Sequence, residues 1–173
     1  MPKLPLAAVA ASLSLLTAAA SAAPSFGACR STKAVDFSGT IVDAAVATPA
    51  LSTLTQLVVA ANLAGALSAP GDLTVFAPTN DAFAKIPAPV LGAIGGDPGV
   101  LTAVLTYHVV PSAADPRKAG KREVATLQGQ TLFTGFEPGA GPMVNQSNAD
   151  CTAVKTSNGT VWIIDSVLLP QFR

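Results

Sequence analysis

The sequence predicts an α+β domain, and three observations carry that prediction. Helix-type patterns come first and strand-type patterns later, instead of alternating as they do along an α/β chain. Apolar side chains are unevenly shared: residues 41–110 hold 40 of them in 70 positions, and residues 111–160 hold 16 in 50. Half of the 173 residues are hydrophobic, yet aromatics make up only 5% and charged residues 12%, so small aliphatic side chains must build the core. Such a composition excludes intrinsic disorder, which requires low hydrophobicity. The formal net charge of zero argues against a nucleic-acid partner, which demands a basic excess.

The first element reads as an export signal over residues 1–22. Lys3 supplies a positive start, Leu4 to Ala20 is uncharged and rich in Leu and Ala, and Ala20-Ser21-Ala22 is a small-x-small cleavage site. A membrane anchor would need about 20 apolar residues. Pro5, Ser12, Ser14 and Thr17 dilute this stretch, and Leu51 to Leu67 is likewise interrupted by polar residues. The expectation is therefore a secreted or cell-envelope protein, cleaved near Ala22, with no transmembrane segment in the mature chain. What remains is long enough for one domain.

Export gives the two cysteines their meaning. An even pair in an oxidising compartment reads as a disulfide, Cys29 to Cys151, closing a loop of more than a hundred residues. Such a cross-link contributes up to roughly 4–5 kcal/mol in the chain-entropy model. Phe26-Gly27-Ala28-Cys29 also offers a weak lipoprotein-type site, in which Cys29 would be acylated instead. Residues 23–38 form an N-terminal segment tethered by Cys29, and residues 39–172 form the domain proper.

Within that domain Thr40 caps a short helix through Ile41, Val42, Ala45 and Val46, with Asp43 favouring its positive end. Thr48-Pro49 is a cap followed by proline, and Leu51, Leu54, Leu57, Val58 and Ala61 then recur on one helical stripe. Leu73 to Ala77 is a strand ended by Pro78, after which Asn80 caps a turn containing Asp81, Ala82 and Phe83. Asp97-Pro98 starts a helix carrying Val100, Leu101, Val104 and Leu105. Beyond it the pattern turns to β. Tyr107 to Val110 forms a strand stopped by Pro111, and Thr126-Leu127 and Thr131 to Phe133 flank Gly129-Gln130. Cys151 to Lys155 reaches the hairpin turn Ser157-Asn158-Gly159, and Thr160 to Leu169 returns, closed by Pro170.

At these residues the chain resembles a known family. Thr74-Val75-Phe76-Ala77-Pro78-Thr79-Asn80-Asp81-Ala82-Phe83 is similar to the first signature block of the fasciclin (FAS1) family, and Tyr107-His108-Val109-Val110-Pro111 to its central Tyr-His block. Asn158 to Pro170 is similar to its second block, and all three occur in the family's order. The resemblance runs from about Gly39 to Phe172. It implies a β-wedge or sandwich of about seven strands packed against several short α-helices. It also implies a non-enzymatic module for cell adhesion or for extracellular-matrix and cell-envelope interactions, with a protein or polysaccharide partner.

The chemistry within reach is correspondingly limited. A single histidine, His108, excludes multi-histidine metal sites, and there is no Gly-x-Ser-x-Gly elbow, phosphate loop or dinucleotide fingerprint. No catalytic or metal residues are assigned. The resemblance makes Tyr107 and His108 the candidate adhesion residues, and alternation along a strand would bury one of them. The segment Gly96 to Leu101 departs from the Asn-Lys-Asp-Ile-Leu type of sequence tied to a further adhesion epitope in animal relatives. Arg117, Lys118, Lys121 and Arg122 place four of the ten basic residues in six positions, a candidate contact for anionic surfaces. Asn145-Gln146-Ser147 and Asn158-Gly159-Thr160 match the N-glycosylation pattern for a eukaryotic secretory pathway, and Asn145 is the better acceptor because Asn158 serves the turn. The resemblance also implies an alternative function, a secreted carrier of an apolar small molecule such as a carotenoid, which the aliphatic side chains of residues 41–110 would accommodate.

Overall fold

The computed structural model describes residues 24–172, so the cleavage site near Ala22 lies outside the described residues. The chain opens with helix α1 (Phe26–Ser31), then strand β1 (Val35–Asp36) and helix α2 (Ile41–Ala47). A 3-10 turn, Pro49–Leu51, leads into α3 (Ser52–Ala60), α4 (Ala64–Ser68) and strand β2 (Leu73–Pro78). Helices α5 (Asn80–Ala84), α6 (Ala88–Gly96) and α7 (Pro98–Tyr107) follow. The remainder is β: β3 (Val109–Val110), β4 (Arg122–Ala125), β5 (Thr131–Glu137), β6 (Gly141–Val144), β7 (Ser147–Thr156) and β8 (Gly159–Ile164). Among the described residues no single helix is long and apolar enough to cross a membrane.

Local chemistry sets the helix starts. Thr40 and Asp43 form a reciprocal capping box, each side chain accepting the other's backbone N–H, and Thr40 also donates its hydroxyl to the carboxylate. Those bonds hold the Asp43 carboxyl below the usual carboxylate range. The Asp97 carboxylate accepts the amides of Gly99 and Val100 at 2.8 and 3.1 Å, and Pro98 occupies the first turn of α7. Two caps differ from expectation. Thr79, not Asn80, caps α5 by accepting the Ala82 amide. Asn80 instead accepts the Thr53 amide and donates to the Pro49 carbonyl, fixing the entry of α3. Thr48 makes no cap bond and donates to the Ala44 carbonyl.

The strands run in the order β3-β2-β8-β7-β6-β5-β4, with β1 added parallel to β7. Parallel pairing sets the apolar strands β2 and β8 side by side, flanked by β3 and β7. Strand β7 is shared along its length. Its start pairs with β6 and its end with β8, and a register shift between Ala149 and Ala153 bends it.

Alternation divides the core in two. Val75 and Ala77 of β2 and Val161 of β8 face the helices, meeting Ile41, Leu54, Val58, Leu101, Val104 and Leu105. Phe76 of β2 and Trp162 and Ile164 of β8 point the other way, into the wedge, against Val110, Leu132 and Val144. Trp162 is buried there, and its indole N–H donates to the Ala114 carbonyl at 3.1 Å.

Cys29 and Cys151 are disulfide-bonded across 122 residues, so Cys29 carries no acyl group in this structure. The bond pins α1 to β7, and Phe26 packs edge-on against Phe136 with ring centres 5.0 Å apart. Strand β1 extends the sheet beside Val154 and Lys155, so the segment 24–38 is woven into the domain and is more than a tether.

Candidate functional site

The Tyr-His block is not the expected strand. Leu101, Val104, Leu105 and Tyr107 all lie on the buried stripe of α7, so that helix runs through Tyr107, His108 caps it, and only Val109 and Val110 are extended. Because helical geometry replaces alternation here, both residues are buried, Tyr107 at 5% and His108 at 2% exposure, where alternation would have buried only one. They face opposite regions of the protein.

His108 belongs to the helix side. Its Nδ1 lies 2.8 Å from the Val104 carbonyl, which only accepts, so Nδ1 carries the proton. Its Nε2 accepts the Leu168 amide N–H at 2.9 Å. Burial lowers the imidazole pKa to about 4, against a smaller raising effect of the Val104 bond. The ring lines a small cavity of about 30 Å3, otherwise mostly aliphatic, between α2, α3 and the sheet. That volume admits about one water and no larger ligand.

Tyr107 belongs to the strand side. Its hydroxyl donates to the Thr131 carbonyl at 3.2 Å and accepts from Asn145 Nδ2 at 3.1 Å. Asn145 sits at φ 53° in the two-residue turn between β6 and β7, and its Oδ1 accepts the Phe133 amide at 2.9 Å. This closed set of bonds forms the floor of an open cleft of about 770 Å3, whose walls include Lys121, Gln130, Phe133, Gln146 and Gln171. Phe133 is 38% exposed and carries the Lys121 ammonium 5.3 Å above its ring centre. The Gln130 side chain clamps the C-terminal stretch in both directions, donating to the Gln171 carbonyl and accepting the Gln171 amide. A second depression of about 310 Å3 shares Lys121, Phe133 and Asn145 and continues along β5.

The four basic residues separate. Arg117 is structural: it pairs with Asp115 at 3.1 Å, donates to the carbonyls of Thr32 and Cys151, and stacks 4.8 Å from the Trp162 ring centre. Burial raises the Asp115 pKa, but the bonds and charge of Arg117, aided by the charge of Lys118, outweigh it and hold this carboxyl below its usual range. Lys121 belongs to the Phe133 cleft. Lys118 and Arg122 are exposed and share a cleft of about 420 Å3 with the Arg117–Asp115 pair and with Arg30 from α1. Arg30 carries no mark in the sequence; only its neighbour Cys29 hints at it. Gln130, Gln146 and Gln171 are equally unmarked, being scattered over more than forty residues.

Both glycosylation triplets serve the fold. Asn158, 3% exposed, accepts the Ile41 amide at 2.9 Å and donates to the carbonyls of Leu67 and Ala69. Asn145, expected to be the better acceptor, has its amide nitrogen committed to Tyr107, and Ser147 two residues on is buried. Neither amide is free to carry a glycan in this structure.

A helix-buttressed β-wedge, tied by one disulfide and lacking a solvent-facing histidine, defines a disulfide-linked α+β wedge domain. The chain belongs to the fasciclin-domain family, whose model matches residues 49–170. It is 41% identical over 139 residues to Protein sll1483 of Synechocystis sp., a match covering 79% of this chain and 77% of that protein. It is 42% identical over 130 residues to Immunogenic protein MPB70 of Mycobacterium bovis, covering 70% of this chain and 64% of the relative. Cell surface glycolipoprotein MPB83 of the same species is 39% identical over 135 residues, covering 75% and 60%. The chain thus spans somewhat less than two thirds of these two mycobacterial relatives. Among solved structures, a FAS1 domain pair from the insect cell adhesion molecule fasciclin I is similar at a TM-score of 0.46 and 20% identity, covering 69% of this chain and 45% of that one.

Proposed function

We propose that this is a non-enzymatic, secreted fasciclin-domain protein that mediates adhesion or extracellular-matrix and cell-envelope interactions. Family membership and the cell-surface naming of the mycobacterial relative support that reading. The observation that carries it is the cleft of about 770 Å3 above Tyr107 and Asn145. Its size suits a ligand segment. Its floor is fixed by hydrogen bonds, while Phe133 offers an aromatic face and Gln146 an exposed amide, a pairing suited to a polysaccharide or a peptide loop. The enclosed histidine, with both ring nitrogens engaged, is withdrawn from general acid–base work. Binding of the purified domain to insoluble envelope material from its native source tests the reading. Phe133→Ala should weaken retention at least tenfold with the melting temperature nearly unchanged, and undiminished retention would refute the cleft's role.

The carrier alternative has one supporting observation, the aliphatic cavity bordered by Val42, Ala45, Val58 and Val59. At about 30 Å3 it is far too small for a polyene, so α2 and α3 would have to part to admit one. Visible absorbance in protein purified from its native source would favour the carrier; a colourless protein would remove it.

A further inference from the structure

We propose a second recognition site, independent of the Phe133 cleft: Arg30, Lys118 and Arg122 bind the anionic groups of an acidic polysaccharide, and the Cys29–Cys151 disulfide holds the site together. The three cations come from separate places, helix α1, the loop before β4 and β4 itself, yet they border one cleft of about 420 Å3. The carboxylate in that cleft, Asp115, is already neutralised by Arg117. Three positive charges are therefore left over, on a protein whose formal net charge is zero. Their potential adds at the cleft and attracts an anion before contact. Arginine presents paired N–H donors that match carboxylate, sulfate and phosphate oxygens alike.

The back wall is rigid, as a binding site requires. Arg117 is held by Asp115 on one side and by the carbonyls of Thr32 and Cys151 on the other, with its plane over Trp162. Arg30 follows Cys29 directly, so the disulfide to β7 anchors the helix from which that side chain projects, and its guanidinium lies 6.0 Å from the Phe26 ring centre. The bond thus acts on function through placement. Charge on an edge strand also discourages edge-to-edge pairing, and the exposed Arg122 on the terminal strand β4 serves that end as well. Such protection explains Arg122 but not the convergence of Arg30 and Lys118 on it. A polymer is favoured over a membrane because none of the exposed large hydrophobic side chains borders this cleft, and stable membrane attachment takes apolar insertion beside charge.

The test measures affinity of the disulfide-bonded protein for dextran sulfate and polygalacturonate, with neutral dextran and phosphatidylglycerol vesicles as the other arms. Wild type should bind both acidic polymers, ignore neutral dextran, and weaken steeply as salt rises. Arg30→Gln, Lys118→Gln and Arg122→Gln should each lower affinity about threefold or more, and the triple variant at least tenfold. All three side chains are exposed, so these variants should fold. Lys155→Gln, the same charge change at an exposed position far along β7, should leave affinity unaltered. In a Cys29→Ser/Cys151→Ser background Arg30→Gln should have no further effect. The site is overturned if the triple variant binds as wild type, if Lys155→Gln loses as much as Arg122→Gln, or if vesicles are bound and the acidic polymers are not. The disulfide's part is overturned if Arg30→Gln is equally damaging without it.

Discussion

The Nε2 atom of His108 accepts the backbone N–H of Leu168 at 2.9 Å, tying the end of α7 to the segment that follows β8. Protonation would remove that acceptor and place a charge where the ring is almost wholly buried. The neutral form is favoured in the fold, which lowers the pKa to about 4, whereas the unfolded chain takes up a proton near 6.5. This contribution to stability is complete above about pH 6.5, declines as pH falls, and is exhausted below about pH 4. Its full size is on the order of 3 kcal/mol. Urea unfolding between pH 7.5 and 4.5 should show a falling midpoint, and His108→Gln should flatten that trend. A wild-type midpoint constant across the range would contradict the account.

Tyr107→Phe separates structure from recognition. The substitution removes one hydroxyl, leaving the Thr131 carbonyl and the Asn145 amide each short of a partner. A loss of about 1–2 kcal/mol is expected, with the fold retained. Tyr107→Ala opens a cavity as well and should cost about 3–5 kcal/mol. Thermal denaturation distinguishes the two, and adhesion lost only in the alanine variant would be adhesion lost through the fold.

These buried roles mark the limit of what the sequence makes legible. The caps at Thr40 and Asp97 and the Asn158–Gly159 hairpin are local chemistry, written in a few adjacent residues, and they appear as expected. Tyr107 to Val110 reads as a strand because its side chains favour β structure, yet the buried stripe of α7 carries the helix through Tyr107. Helix α6 leaves little trace in the sequence because Leu91-Gly92-Ala93-Ile94-Gly95-Gly96 has poor helix propensity, and tertiary packing of Ile94 overrides it. Strand β8 ends at Ile164, five residues before Leu169, because the chain there turns back to meet His108. The clefts were invisible for a different reason. Gln130, Gln146 and Gln171 converge only through β5, β6 and the C-terminal stretch, and Arg30 meets Lys118 only because the disulfide and the packing of Phe26 on Phe136 dock α1 on the sheet.

The Asn158–Gly159 turn should be among the least tolerant positions. Asn158 joins α2, α4 and β8 through the Ile41 amide and the Leu67 and Ala69 carbonyls. Asn158→Ala leaves these buried groups unpaired, at about 1–3 kcal/mol for each. At Gly159 a Cβ would run into the Leu73 carbonyl oxygen and approach Ile41 Cδ1 at 2.9 Å, where β8 meets β2. Gly159→Ala should therefore destabilise the domain by more than 2 kcal/mol, whereas Gly95→Ala, with open space around it, should not. Chemical denaturation of the three variants checks the order.

The disulfide should act more on the unfolded chain than on the folded one. Cys29 and Cys151 close 122 residues, and the chain-entropy model assigns such a loop about 4–5 kcal/mol, an upper value. The folded domain keeps both cores without it, since α1 contributes only Cys29 to the buried residues. A Cys29→Ser/Cys151→Ser protein should thus remain folded at 25 °C but melt at a markedly lower temperature. The single tryptophan reports the local consequence, because Trp162 lies under Arg117, whose guanidinium leans on the Thr32 and Cys151 carbonyls beside the disulfide. Loosening α1 frees Arg117 without exposing the indole, so the emission maximum should hold while quenching near the ring changes intensity. Emission shifted to the value of the urea-unfolded chain would show that the disulfide holds the whole wedge, and not only its N-terminal seam, in place.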